Sequence, residues 1–256
     1  GRGGVVVLAV ADGSEAFRIG FAATGEVRSI VWSPDGTLLA IAATTGVHVR
    51  AVAGGGAEVC RLHEGTMMYC CAFDDSGSRL ATGGQQDDNR VTVWDVATWT
   101  QTHNLPTDRP QYRVCFSPTA DRIAYMEIGG DILVRSLDDT DINGEPPIRF
   151  TVGSGLIGDL SFSPDGDFLL CCPRSTNEMR VLDLRTGTDA EWGSALRSMA
   201  LPVGGGVLNG RTLGWGRLTR TRDGDSATNE TKAQLVLYGT VGPTFVLADV
   251  QAARNA

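Results

Sequence analysis

Short runs in which apolar and polar residues alternate recur along the chain, separated by turn residues. Four segments share one pattern: an alternating strand that ends on an aromatic residue, a turn, and a second apolar strand. They are VRSIVWSPDGTLLAIA, MYCCAFDDSGSRLATG, YRVCFSPTADRIAYME and GDLSFSPDGDFLLCCP. A period of two predicts β-strands, and Ser-Pro-Asp-Gly supplies the backbone angles of a tight turn. The pattern therefore predicts an all-β chain built from hairpins.

The spacing of these segments predicts a repeat. Their aromatic residues are Trp32, Phe73, Phe116 and Phe162, which lie 41, 43 and 46 residues apart. A weaker copy, RTLGWGRL, contains Trp215 and is followed by a polar insertion, TRDGDSATNETK. A third strand follows each pair, and a more variable fourth strand follows where there is room. Four antiparallel strands in about 40–45 residues is the period of a β-propeller blade.

We interpret residues 1–256 as a single domain, an all-β protein with the architecture of a β-propeller of four-stranded antiparallel blades. The N-terminal segment resembles a third and a fourth strand only, and the last copy has three strands, so about five and a half blades are visible. We expect either that the two ends share one blade or that the chain is part of a larger, seven-bladed ring. The expected blades are 1–22 (partial), 26–63, 64–105, 109–152, 155–202 and 210–256 (partial).

The segment from 63 to 105 resembles the WD-repeat propellers. Its third strand ends on Trp94-Asp95, His63 precedes its first strand, and Thr82 lies in its second strand. The resemblance implies a buried hydrogen-bonded network inside this blade, formed by His63, Thr82, Asp88 and Trp94. A buried indole N–H and a buried imidazole both need such partners.

The other units depart from the family pattern. In place of Trp-Asp they have Arg50-Ala51, Arg135-Ser136, Leu182-Asp183 and Ala248-Asp249. We therefore expect a divergent member of the family, in which the other blades are held together by apolar packing alone.

Composition restricts the class of partner. The formal net charge of −8 disfavours direct nucleic-acid binding, and no apolar run is long enough for a transmembrane helix. The cysteines include two adjacent pairs, Cys70-Cys71 and Cys171-Cys172, and form no C-x-x-C motif. This favours small apolar filler in a reducing compartment, the cytoplasm, over zinc sites or disulfides. Within each pair, we expect one thiol to point inward and the other outward.

No catalytic motif is present, and we predict no catalytic residue, no cofactor and no metal site. His48 and His103 fall within predicted strands, and the sequence shows no set of residues that could act with either of them in catalysis. The acidic clusters are Asp74-Asp75, Asp87-Asp88 and Asp138-Asp139 with Asp141. They lie at different turn types, which is typical of solvated turns. The centres of the first strands are mostly Val, Ala, Cys and Ser, which disfavours a ring of metal ligands.

These observations predict a non-enzymatic protein–protein interaction scaffold, a propeller subunit of a larger multi-subunit complex. The alternatives are a propeller-type metal-dependent hydrolase and a membrane-traffic or coat-associated propeller subunit. Lipid binding is disfavoured because phosphoinositide-binding propellers carry paired arginines and no Arg-Arg occurs here. The candidate partner contacts are Trp99, Tyr112, Trp192, Arg211, Arg217, Arg220 and Arg222. For Trp99 and Trp192, the alternative role is to cover blade edges.

Overall fold

The computed structural model describes most of the N-terminal two thirds of the chain and separate strands beyond it. The described residues are 4–9, 11–85, 89–119, 121–138, 146–152, 157–163, 165–173, 180–189, 213–218, 232–237 and 247–249. Their regular secondary structure is β-strand, apart from one short helix, α1 (Phe21–Thr24).

The strands form four sheets of four strands, one of three and one of two, each in chain order. The two-stranded sheet is β1 (Val5–Leu8) and β2 (Glu15–Ile19). The next sheet is β3 (Val27–Trp32), β4 (Leu38–Ala43), β5 (Gly46–Ala51) and β6 (Glu58–Leu62). It is followed by β7 (Met67–Phe73), β8 (Arg79–Gln85), β9 (Arg90–Asp95) and β10 (Gln101–Pro106).

The second half of the chain continues the same order. One sheet is β11 (Gln111–Phe116), β12 (Arg122–Glu127), β13 (Asp131–Ser136) and β14 (Ile148–Thr151). The next is β15 (Ile157–Phe162), β16 (Phe168–Pro173), β17 (Arg180–Asp183) and β18 (Thr188–Asp189). The three-stranded sheet is β19 (Leu213–Leu218), β20 (Lys232–Leu237) and β21 (Leu247–Asp249). The predicted all-β fold is confirmed, and the four-stranded antiparallel sheets are consistent with propeller blades.

The turn between the first two strands of a sheet has the chemistry that the sequence predicts. The Ser33 N–H donates to the carbonyl of Leu38 (2.9 Å), and Gly36 has a φ of 72°, which favours glycine. Asp74 takes the place of Ser33 in the next sheet, since its N–H donates to the carbonyl of Arg79 (3.0 Å). The two turn sequences therefore produce the same hairpin.

By its internal contacts the chain divides into two compact units. The first comprises Gly1–Phe116, Arg122–Ile128 and Val134–Pro146, and the second comprises Ser117–Asp121, Gly129–Leu133 and Pro147–Ala256. The packing and the candidate site described below lie in the first unit.

Sheets of the first unit pack on both faces of β7, which corrects one expectation. The Cys71 thiol lies 3.7 Å from the carbonyl oxygen of Ala40, and the Cys70 thiol lies 3.8 Å from that of Gln111. The two thiols therefore point to opposite faces, as alternation requires. Both are nevertheless buried, with 2% and 3% exposure, because a neighbouring sheet covers each face. The expectation of one outward thiol was wrong for this pair.

The two-stranded sheet covers only part of the sheet that follows it. Phe17 and Ile19 form a cluster with Leu39 and Ile41 of β4. The β3 residues that pair with Leu39 and Ile41 are Trp32 and Ile30, and these remain 49% and 44% exposed. Paired residues share a face of the sheet. This face of the sheet is therefore covered at β4 and exposed at β3.

No helix in the described part of the chain is long and apolar enough to cross a membrane.

The seven-bladed ring stays a prediction.

Gly84→Ala tests the close packing within the β7–β10 sheet. A Cβ at this position would lie 2.5 Å from the Met67 carbonyl oxygen and 2.7 Å from the Met68 Cα. These are backbone atoms that cannot rotate away, so we expect a loss of about 1–3 kcal/mol of stability. Urea denaturation followed by circular dichroism measures it. Gly20→Ala is the control, because no atom beyond its two chain neighbours lies within 4 Å of its Cβ position. Equal midpoints for the two variants would contradict the packing described here.

Candidate functional site

A polar network links Thr82 and Trp94 of the β7–β10 sheet to His63, which lies in the connection between β6 and β7. The indole N–H of Trp94 donates to Thr82 Oγ1 (3.0 Å), and His63 Nε2 lies 3.0 Å from the same oxygen. The Thr82 hydroxyl is also 3.3 Å from the carbonyl oxygen of Thr92. The rings of His63 and Trp94 meet edge to face, with centroids 5.2 Å apart. The structure therefore brings together three of the four residues that the resemblance implies.

The fourth residue, Asp88, lies outside the described residues. The Asp of the Trp-Asp pair has a separate role, since Asp95 Oδ1 accepts hydrogen bonds from the Thr98 N–H (2.8 Å) and hydroxyl (2.7 Å). These bonds lower the pKa of Asp95 below its usual range. Asp95 therefore stabilises the turn after β9.

His63 is held neutral in an unusual backbone conformation. Its φ of 52° lies in the left-handed region, which costs a non-glycine residue free energy. Burial, and then the positive charge of Arg90, lowers the pKa of the imidazole to about 4. Protonation near neutral pH is therefore disfavoured. His63 has the surroundings of a structural histidine held in a hydrogen-bond network.

In the two neighbouring sheets, a polar residue at one of these positions also has a polar partner. Tyr125 corresponds in register to Thr82, and its hydroxyl oxygen lies 3.1 Å from Arg135 Nε. Arg50, which corresponds to Trp94, forms an ion pair with Glu58 (2.7 Å). The expectation that the other blades are held by apolar packing alone was therefore wrong for these two sheets.

The β15–β18 sheet is apolar at one of these positions. Leu182, at the place of Trp94, is fully buried. A leucine side chain offers no hydrogen-bonding group there.

His48 is fully buried on β5, where the sequence indicated no partner. Its Nε2 lies 2.8 Å from Thr45 Oγ1, and its Nδ1 lies 3.8 Å from the Glu58 carboxylate. Burial, followed by the charges of Arg61 and Arg50, lowers its pKa. His48 therefore belongs to the interior of the β3–β6 sheet.

The first strands of three consecutive sheets carry a β-bulge at the same position. The register shifts between Val27 and Ser29 in β3, between Met68 and Cys70 in β7, and between Gln111 and Arg113 in β11. The extra residues are Arg28, Tyr69 and Tyr112, and we call them the bulge row. A bulge re-aims the side chain of its extra residue.

The bulge row forms one continuous surface feature, because β7 lies beside both β3 and β11. The rings of Tyr69 and Tyr112 stack with centroids 5.4 Å apart and an interplanar angle of 29°. The guanidinium of Arg28 lies 6.0 Å from the Tyr69 centroid, and that of Arg113 lies 5.3 Å from the Tyr112 centroid. Arg28 is exposed, and the two tyrosines are half-buried.

The sequence identified only one member of the bulge row, Tyr112. A signal for the others was present, because Arg28, Tyr69 and Tyr112 each lie four residues before the aromatic residue of their strand: Trp32, Phe73 or Phe116. Finding the row required knowing that all three strands are bulged there, which depends on their pairing.

The remaining candidate contacts fall in three groups. Trp99 is half-buried and packs against the cluster that contains Trp94. Arg217 lies on β19. The others lie outside the described residues: Trp192, Arg211, Arg220 and Arg222.

The acidic cluster at Asp74-Asp75 is part of the hairpin turn. Asp74 is 5% exposed, and its carboxylate accepts hydrogen bonds from the Arg79 N–H (3.0 Å) and the Arg79 guanidinium (3.1 Å). Burial opposes ionisation of Asp74, but these bonds and those from nearby serines keep its pKa below the usual range. Among the described residues, no three His, Cys, Asp or Glu come together as metal ligands.

Comparison with known families gives one match. Residues 58–95 match the WD40 family, described as WD domain, G-beta repeat. The match includes His63, Thr82 and Trp94, and it covers β6 to β9. This chain therefore carries a WD repeat, and its four-stranded sheets are consistent with a WD-repeat propeller. No curated protein is similar enough in sequence to match the chain.

His63→Ala should lower the free energy of unfolding by about 1–3 kcal/mol, because it leaves a buried network without one of its members. Urea denaturation at pH 7.5 measures the change. His103→Ala is the control, since His103 bonds only to the adjacent Thr102 side chain (3.0 Å) at an exposed site, and we expect almost no change there. A loss as small as that of the control would show that His63 contributes no buried hydrogen bond.

The neutral state of His63 also predicts a pH dependence. In the unfolded chain the imidazole takes up a proton near its usual pKa of about 6.5, whereas in the folded chain it does so near 4. The stability is therefore fully present above pH 6.5 and falls as the pH drops towards 4, by roughly 3 kcal/mol at most.

Comparison with His63→Gln isolates this contribution, since glutamine keeps a hydrogen-bonding group and does not titrate. Between pH 7 and pH 5 the wild type should lose more stability than the variant in urea denaturation. Parallel pH profiles would contradict a depressed His63 pKa.

Proposed function

We propose that this chain is a non-enzymatic protein–protein interaction scaffold and a subunit of a larger complex. The WD repeat at residues 58–95 supports an interaction role, because rigid sheets of this kind hold surface residues in fixed positions for partners. The bulge row is the observation that carries the proposal.

The buried polar residues support the same conclusion. A general base must reach a substrate proton and must have a pKa suited to the working pH. His63 is hydrogen-bonded between strands with a pKa lowered to about 4, and His48 is fully buried. His63 is half-buried, and both histidines have structural partners, Thr82 and Thr45.

The bulge row, in contrast, presents polar and aromatic groups at an accessible position. Tyrosine and arginine are enriched among the residues that dominate binding energy at protein interfaces. Tyr69 is already oriented by a hydrogen bond from its hydroxyl to Gln85 Oε1 (3.0 Å). A side chain held in place before binding loses less entropy when a partner docks.

Site-specific photocrosslinking tests this proposal. A benzoylphenylalanine in place of Tyr112 should crosslink the same partner proteins in repeated preparations, identified by mass spectrometry after tagged purification. The control position is Val59, which is 43% exposed on β6, the last strand of its sheet.

We expect partners that crosslink from position 112 and not from position 59, and elution of the untreated chain in a complex larger than itself. Identical crosslinking from both positions would contradict a partner surface at the bulge row. Elution of the chain alone from native extracts would contradict the complex.

A further inference from the structure

We propose that a β-hairpin of a partner protein completes the two-stranded β1–β2 sheet, by pairing with β1 and covering Ile30 and Trp32 of β3. We call these two residues the apolar strip. The inference rests on the proposed role of the chain as a subunit of a complex, and it specifies the structural element that the partner contributes.

The strands β1 and β2 take the places of a third and a fourth strand. They form one apolar cluster with β4, the second strand of the following sheet, as β5 and β6 do with β8. The paired residues in the two clusters correspond: Val5–Ile19 and Val7–Phe17 in the first, Val47–Leu62 and Val49–Cys60 in the second. Among the described strands, the β1–β2 sheet therefore lacks a first and a second strand.

The missing strands belong over β3. The first strand of a sheet lies against the first two strands of the preceding sheet, since β7 lies against β3 and β4, and β11 against β7 and β8. Ile30 corresponds in register to Cys71 and Val114, which are 3% and 8% exposed, but Ile30 itself is 44% exposed. A preceding hairpin therefore covers this position in the next two sheets and is missing at β3.

Trp32 shows the same difference in exposure. It is 49% exposed, whereas its counterpart Phe73 is half-buried and Phe116 is 8% exposed. Moving the rest of an indole ring out of water is favourable, because the ring is a large apolar surface. Covering the apolar strip therefore contributes free energy to binding.

The strand β1 also has an unpaired edge on the side where a second strand belongs. Its sequence is Val-Val-Val-Leu, and among the described strands only β2 pairs with it. Edge strands usually carry a charge or a proline that prevents pairing with another chain. Val5 to Val7 carry neither, and the register shift between Val7 and Leu8 lies at the end of the strand. An added strand can therefore form backbone hydrogen bonds with β1.

The hairpin comes from a different protein, because the described hairpins of this chain are already in use. Each pair of first and second strands is bonded to a third strand of its own, and these third strands are β5, β9, β13, β17 and β21. The same holds for the described strands of a second copy of the chain. A partner protein therefore supplies the two strands.

The next sheet shows which side chains the hairpin carries. Ala40 and Ala42 of β4 belong to the cluster that contains Cys71, and the Cys71 thiol lies 3.7 Å from the Ala40 carbonyl oxygen. The second strand therefore approaches the following first strand closely. Ile30 is larger than cysteine, so the facing residues of the partner are as small as alanine or glycine. The partner strand beside β1 has such residues at alternate positions.

Fluorescence anisotropy with a hairpin probe tests the site on the full chain. The probe is a labelled peptide with the sequence of residues 27–43, VRSIVWSPDGTLLAIAA, because this hairpin lies against β7 in the next sheet. A scrambled peptide of the same composition is the control. We expect saturable binding of the probe and none of the scrambled peptide, which lacks the alternation. Equal binding of the two peptides overturns the inference.

Two substitutions in the protein locate the bound probe. Trp32→Glu should weaken binding at least roughly tenfold, since it would place a carboxylate in an apolar contact. Val59→Glu is the matched control, because Val59 is 43% exposed on β6, and it should leave the affinity unchanged. Equal effects of the two substitutions contradict binding at the apolar strip.

Hydrogen exchange separates strand pairing from simple apolar contact. Probe binding should slow amide exchange at Val5–Leu8 and leave exchange at Gln101–Pro106 of β10 unchanged. Unchanged exchange in β1 overturns the pairing. If β1 in the free chain already exchanges as slowly as Gly46–Ala51 of β5, the chain itself fills the place, and the inference is wrong.

Photocrosslinking from position 30 in native extracts identifies the occupant. The crosslinked peptide should come from another protein, and its sequence should show two alternating strands with alanine or glycine at alternate positions of the second. A crosslinked peptide from this chain, or one without this pattern, overturns the inference. If positions 30 and 112 differ and only position 112 captures partners, the interaction function stands without the hairpin. Loss of crosslinking at both positions would count against the function itself.

Discussion

Burial of the second strands on both faces is the constraint on which the first unit depends. Four consecutive residues of β12, Ile123 to Met126, are fully buried, and Leu39 to Ala43 of β4 are at most 1% exposed. Neighbouring residues on a strand point to opposite faces. A strand in which every residue is buried is therefore covered on both faces. A polar group on such a strand needs a partner within the protein, because water reaches neither face.

The polar pairs follow from this constraint. Thr82 and Tyr125 occupy equivalent positions on two of these strands, and both are fully buried. A hydroxyl there needs a partner. Trp94 supplies it to Thr82, and Arg135 lies within hydrogen-bond distance of the Tyr125 hydroxyl. The β11–β14 sheet lacks the Trp-Asp dipeptide but still has a polar pair at this place. Tyrosine and arginine form it instead of threonine and tryptophan.

Local sequence patterns predicted the strands and the turns between them. Contacts between strands and between sheets could not be inferred from those patterns. Alternation and turn residues were enough for the all-β architecture and for hairpins such as Ser33–Leu38. The burial of both Cys70 and Cys71 was missed because it depends on two neighbouring sheets. The Tyr125–Arg135 pair was missed because an arginine at the place of a tryptophan shows no partner until the register is known.

The bulge row shows why the first strands differ from the second. Where both faces are covered, a strand has little freedom to present a functional group. One extra residue per first strand avoids this restriction, because a bulge projects its side chain away from the regular alternation while the rest of the strand keeps its register. Cys70 and Cys71, directly after Tyr69, still point to opposite neighbouring sheets. The bulge therefore places Arg28, Tyr69 and Tyr112 outside the alternation of the residues that hold the sheets together.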